Sequence, residues 1–120
     1  MNGLAKLSVS ALLLAGVLVS VSSAAYAQCG GASWYGPGFN GKRTASGDRF
    51  NQNAMTAAHK TLPLGSVVMV TDQRTGKSIR VTINDRGPYA KGRIIDLSKA
   101  AATKLGFASK GTTKVCIAGV

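Results

Sequence analysis

Acidic side chains are scarce in this sequence, so the few present can be sorted one by one. There are four, all aspartates, beside a single histidine and two cysteines. Asp72 falls in Asp72-Gln73-Arg74-Thr75-Gly76-Lys77, a polar connection between two strand-like runs, where an aspartate commonly bonds its own backbone. Asp96 precedes Leu97-Ser98 at the entrance of a short helix, where negative charge suits the N-terminus. Both read as structural. Asp48 and Asp85 remain, each on a glycine-rich loop of the kind that often carries functional groups. Carboxyl groups placed there can give and take protons, so general acid–base work is the chemistry they offer. His59 follows a short apolar stretch, a setting in which a lone histidine is more often a satisfied structural residue than a catalyst. With no second histidine and no motif-spaced ligand set, no metal centre is expected. Trp34 and Tyr35 adjoin glycine loops and present flat faces. They are strand neighbours, so only one is expected to line a groove, the other serving the core. Arg86, Lys42 and Arg43 are suited to holding carboxylates; a solvated basic surface is the competing reading.

The elements that must position these residues are short. Gly30 to Gly41 is too rich in glycine for a helix and reads as a strand leading into an open loop. Thr44 to Asn53 is polar and turn-forming, Ala54 to His59 is apolar with no clear period, and Pro63 marks a turn. Ser66 to Thr71 and Ser78 to Ile83 alternate as strands do. Asn84 to Gly92 is a turn-rich loop, followed by a short strand over Arg93 to Leu97. The one clear helix covers Lys99 to Leu105, with Ser98 as its cap and Gly106 at its end. Lys114 to Ala118 is a last strand. Six short strands, one brief helix and many turns indicate a small, mainly β barrel.

Residues 1–27 read as a secretory signal: Lys6 supplies the positive end, Val9 to Val21 the apolar run, and Ala25-Tyr26-Ala27 the cleavage pattern. The apolar run is short of a membrane span and is broken by Ser10, Gly16 and Ser20. Gln28, directly before Cys29, does not suit a lipidation site, so no stable membrane anchor is expected. Residues 28–120 then form one domain, expected to be a monomer. This segment carries 14 of the 15 lysines and arginines against the four aspartates, a formal charge of +10. Such a surface attracts polyanions. In an exported protein these are anionic envelope polymers, anionic lipids and peptidoglycan carboxylates rather than nucleic acid. Cys29 and Cys116, at opposite ends of an exported domain, suit a disulfide.

Five segments then acquire meaning from their order. Gly31-Ala32-Ser33-Trp34-Tyr35-Gly36, Thr44-Ala45-Ser46-Gly47, Thr56-Ala57-Ala58-His59, Asn84-Asp85-Arg86-Gly87-Pro88 and Arg93-Ile94-Ile95-Asp96-Leu97-Ser98 together resemble the RlpA (rare lipoprotein A) family over about residues 30–119. The resemblance implies a six-stranded double-psi β-barrel with one or two short helices. It implies an endolytic peptidoglycan lytic transglycosylase, acting on MurNAc–GlcNAc glycan strands and leaving 1,6-anhydro-muramic ends without a cofactor. By motif position, Asp85 is the implied acid/base, Asp48 an assisting acidic group and His59 a hydrogen-bond partner or proton relay. Trp34, Tyr35, Asn51 and Arg86 fall to substrate binding. The chain departs from the family where Asp48 replaces a common glutamate and Asn51 a common aspartate, and neither a septum-targeting SPOR domain nor a lipid anchor is expected.

Ordinary glycoside hydrolysis needs two carboxyl groups, whereas in a lytic transglycosylase the sugar's own 6-hydroxyl attacks and one group can serve. A chain with two spare aspartates fits the latter better. The departures motivate a second reading, a non-catalytic, expansin-like cell-wall binding module. The charge alone motivates a third, a basic effector acting on anionic membranes.

Overall fold

The computed structural model describes residues 28–120; the expected signal segment, residues 1–27, lies outside the described residues. The chain forms a closed barrel of six strands. These are β1 (Gln28–Trp34), β2 (Thr56–Ala58), β3 (Val67–Asp72), β4 (Ser78–Asp85), β5 (Arg93–Leu97) and β6 (Thr112–Gly119), with helix α1 (Lys99–Leu105) between the last two. Around the barrel the order is β1-β5-β2-β4-β3-β6. The pairings β1/β5 and β2/β4 are parallel and the rest antiparallel.

Alternation decides which side chains fill the barrel. Val68 and Val70, Ile79, Val81 and Ile83, Ile95 and Leu97, and Val115 and Ile117 all point inward and form one apolar cluster, as the period of two requires. Helix α1 closes the cluster with Ala101, Ala102 and Leu105. Its start is set by Ser98, whose side chain accepts the Ala101 N–H at 3.1 Å. Its end is set by Gly106 at φ +99°, a left-handed conformation that favours glycine.

Two cross-links join segments distant in sequence. Cys29 and Cys116 are bonded and lie directly opposite each other in the β1/β6 ladder. Asp72 is fully buried at the end of β3. It accepts hydrogen bonds from the Arg74 backbone, the Arg74 guanidinium and the Thr113 hydroxyl. Burial alone would push its carboxyl up, but these donors outweigh that and hold it below the usual range. The expectation that Asp72 bonds its own turn therefore holds, and the same carboxylate also ties the hairpin to β6.

Candidate active site

Asp85 is the last residue of β4, where the ladder with β2 gives way to the loop over residues 86–92; Asn84 and Asp85, expected on that loop, extend the strand instead. Three donors converge on it. The Ala45 and Arg86 N–H groups both reach Oδ1 at 2.9 Å, and the Tyr35 hydroxyl reaches Oδ2 at 2.9 Å. Tyr35 is itself clamped: its ring stacks on Phe50 at 4.4 Å and meets Phe39 edge-on at 5.7 Å. Burial, with the adjacent charges of Asp85 and Asp96, pushes the phenol well above its ordinary range, so it remains a donor. The loop beyond turns sharply at Gly87, whose φ of +114° favours glycine, before the cis Gly87–Pro88 bond.

Asp85 opens into a cleft of about 640 Å³. A second carboxylate shares it. Asp96 lines the same cleft and accepts a hydrogen bond from the Ser33 hydroxyl. The register explains the meeting: Ala58 of β2 is paired with Asp85 on one side and Asp96 on the other. Two strand spacings of about 4.8 Å separate their backbones, and a methyl side chain between them leaves the space open. Asp96 is thus a functional candidate that its placement before the helix concealed. No acidic residue occupies the first turn of α1, which Ser98 caps alone. The usable signal was alternation: with Ile95 and Leu97 inside the barrel, Asp96 had to face the other way.

The remaining candidates fall into two groups. Trp34, Tyr35 and Arg86 line the cleft along with Asp85; both aromatics border it where alternation implied only one, because β1 ends at Trp34 and Tyr35 lies beyond the strand. Trp34 is half-buried and fixed by donation from its indole N–H to the Ala108 carbonyl at 3.0 Å. Arg86 is pinned through Nη1 to the carbonyls of His59 and Leu62, at 3.1 and 2.7 Å. Asp48, Asn51 and His59 are not among the cleft-lining residues. Asp48 is exposed, its side chain accepting from Ser46 at 3.3 Å, while its carbonyl accepts from Thr44. That loop reaches the site by backbone, through Ala45 to Asp85 and through the Ser46 N–H to the Asn84 carbonyl. The side chain of Asn51 closes its own turn by accepting the Asn53 N–H at 2.9 Å. Tyr89 and Phe39, which the motifs did not single out, stand exposed at the cleft.

His59 is only 4% exposed. Its Nδ1 accepts the N–H groups of Thr61 and Leu62, both at 3.1 Å, so the proton belongs on Nε2, which donates to Gln28 at 2.8 Å. Burial, then the charges of Arg86 and Lys60, hold the ring below its ordinary pKa of 6.5. The residue touches Asp85 only by backbone, its N–H donating to the Asp85 carbonyl at 3.1 Å. It therefore fixes the 59–62 turn on which Arg86 rests. Replacing His59 by alanine strands two amide donors and is expected to lower stability by roughly 3 kcal/mol. A pH series supplies the check. With its folded pKa depressed, the histidine contributes fully above about pH 6.5 and loses that contribution as pH falls below it. Denaturation of the wild type should show the decline and His59→Ala should lack it.

Comparison with known proteins agrees with this architecture. Residues 27–117 match the family described as lytic transglycolase. The chain is 60% identical over 86 residues to the probable endolytic peptidoglycan transglycosylase RlpA of Synechocystis sp., covering 72% of this chain and 27% of that protein. It is 56% identical over 94 residues to the endolytic peptidoglycan transglycosylase RlpA of Neisseria meningitidis serogroup A, covering 78% and 39%. The chain thus spans well under half the length of these relatives. Among solved structures, an expansin of Clavibacter michiganensis superposes with a TM-score of 0.60 at 22% identity, covering 77% of this chain and 49% of that one. The Streptomyces papain inhibitor gives 0.59 at 23%, covering 78% and 96%. These two likenesses speak to the fold alone. A closed six-stranded barrel with the five motifs in register, matched over nearly its whole described length, belongs to the RlpA family of double-psi β-barrels.

Proposed function

We propose that this domain cuts the glycan strands of peptidoglycan between muramic acid and N-acetylglucosamine without using water, as an endolytic lytic transglycosylase. The observation that carries the reading is the pair Asp85 and Asp96 in one open cleft, with Tyr35 bonded to the first. In the proposed step the muramic 6-hydroxyl oxygen attacks its own anomeric carbon, and the bond from that carbon to the leaving O4 breaks. Asp85, whose contacts are all donors, takes the proton of the 6-hydroxyl. The same carboxyl hands that proton to the leaving oxygen and so ends the step as it began, while Asp96, bonded to the Ser33 hydroxyl, lines the same cleft beside the reacting sugar. Tyr35 and the Ala45 and Arg86 amides hold Asp85 still, which is most of what a positioned base requires. Digestion of isolated strands tests the reading: soluble fragments ending in 1,6-anhydro-muramic acid support it, and intact strands from folded protein refute it.

Tyr89, 78% exposed at the rim, is placed to stack on a sugar away from the scissile bond. An aromatic contact of that kind contributes about 1 kcal/mol, so Tyr89→Ala should raise KM roughly fivefold with little change in kcat. Steady-state kinetics on soluble strands separates the two parameters.

A non-catalytic wall-binding role remains the second reading, favoured by the placement of Asp48 and Asn51 outside the cleft. Saturable sedimentation with peptidoglycan and no soluble product would select it. Either role puts the domain outside the cytoplasm, after export by residues 1–27 to the periplasm or beyond. The Cys29–Cys116 bond supports that location, because such bonds persist in oxidising compartments.

A further inference from the structure

A second groove, of about 450 Å³, is bounded by β1, the start of β6, the β3–β4 hairpin and the approach to β5. Its wall carries five cationic side chains, Arg74, Lys91, Arg93, Lys110 and Lys114, and no carboxylate. Only Arg74 is ion-paired, to buried Asp72; among the described residues no acid lies within bridging distance of the other four. That pairing also fixes Arg74, since Nε bonds Thr113 at 2.8 Å and Nη2 bonds Asp72 at 3.1 Å. The groove adjoins the cleft. Arg93 lines both, and the loop between them shows Arg86 to Ala90 to the cleft but Lys91 and Gly92 to the groove. The Gly92 carbonyl accepts the Gly31 N–H at 2.9 Å, so this divide is anchored to β1.

Unpaired cations held in a concave surface attract anions, and adjacency restricts which anion is nearest. Whatever fills the groove lies beside what fills the cleft. We propose that the groove binds the carboxylates that branch from the muramic acid residues of the strand held in the cleft. The proposal rests on the functional reading above and extends it to a second contact with the same polymer. The carboxylate has two sources: the lactyl group bared when the peptide has been removed, or the stem peptide where it remains. Uncharged glycans gain nothing from the groove.

The test measures dissociation constants at low salt for wild type, for the triple variant Lys91→Gln/Lys110→Gln/Lys114→Gln, and for a control of equal charge loss, Lys77→Gln/Lys99→Gln/Lys104→Gln. All six lysines are exposed, so the fold should survive. The ligands are peptide-bearing strands, amidase-stripped strands, stripped strands with carboxyls converted to methylamides, and phosphatidylglycerol vesicles. The groove variant should bind carboxylate-bearing strands about tenfold more weakly than wild type, the sum of three modest ion pairs. It should match wild type on methylamide strands, and the control should lose far less. A loss confined to stripped strands assigns the lactyl group, a loss confined to peptide-bearing strands assigns the stem peptide, and a loss on both shows that the groove takes either carboxylate. The proposal is overturned by a groove variant that binds as well as wild type, by an equal loss on methylamide strands, or by an equal loss in the control. It is also overturned if only vesicle binding falls. A wild type that binds and cuts strands while the groove variant is unaltered removes this inference alone. A wild type that binds no strand removes the functional reading with it.

Discussion

Asp85→Asn is expected to cut strand-cleaving turnover about a thousandfold while leaving the barrel folded, the size of loss usual for a positioned proton-transfer group. The geometry makes this substitution a clean one. Both backbone donors, Ala45 and Arg86, bond Oδ1, and Tyr35 alone bonds Oδ2. An asparagine can keep its oxygen toward the two amides and turn its amide nitrogen toward Tyr35, whose hydroxyl can accept as well as donate. Contacts persist but the ability to take a proton is gone. Asp85→Ala should differ: two backbone donors lose their acceptor, so stability falls together with activity. Initial rates of product release, set beside melting curves for each variant, separate these cases. An asparagine variant as active as wild type would remove Asp85 from the chemistry.

The largest effect on stability is expected from the disulfide. Cys29 and Cys116 are 87 residues apart in sequence and join the first strand to the last. Constraining so long a loop in the unfolded chain contributes roughly 4.5 kcal/mol in the chain-entropy treatment. A domain of this size has a net stability of about 5–15 kcal/mol, so the bond can account for a large share of it. Cys29→Ser/Cys116→Ser should therefore unfold at a much lower guanidinium concentration, by circular dichroism, than the oxidised wild type. A midpoint shift corresponding to less than about 1 kcal/mol would mean that the β1/β6 ladder already restrains these ends without the bond.

How far the sequence alone reached depended on how local each signal was. Strands β3 and β4 were legible because Val68, Val70, Ile79, Val81 and Ile83 repeat with a period of two, and α1 was legible from its cap, its alanines and Gly106. The length and apolar spacing of these segments do not encode barrel order; the double-psi barrel came only with the family resemblance, and the parallel β1/β5 and β2/β4 pairings, which join segments tens of residues apart, came with the structure. In the site, Asp85 was found because it borders a turn-rich stretch, although it is itself the last residue of β4. Asp96 was passed over because two local readings competed, helix entrance and strand, and the strand prevailed through its ladders with β1 and β2. His59 shows the opposite case. Its motif pointed toward proton chemistry, whereas its hydrogen bonds go to Thr61, Leu62 and Gln28, partners that no sequence period reveals. The cationic groove was legible only as net charge. Its wall draws on β1, the hairpin, the loop before β5 and the start of β6, so its concentration in one place is a property of the barrel.

The central claim is that the cleft breaks the glycosidic bond by internal attack, and digestion in ¹⁸O-labelled water addresses it most directly. The account predicts fragments whose new muramic ends are one water lighter than hydrolysis products and carry no label, formed by wild type and nearly absent with Asp85→Asn. New reducing ends bearing one labelled oxygen would mean that water attacks and would contradict it.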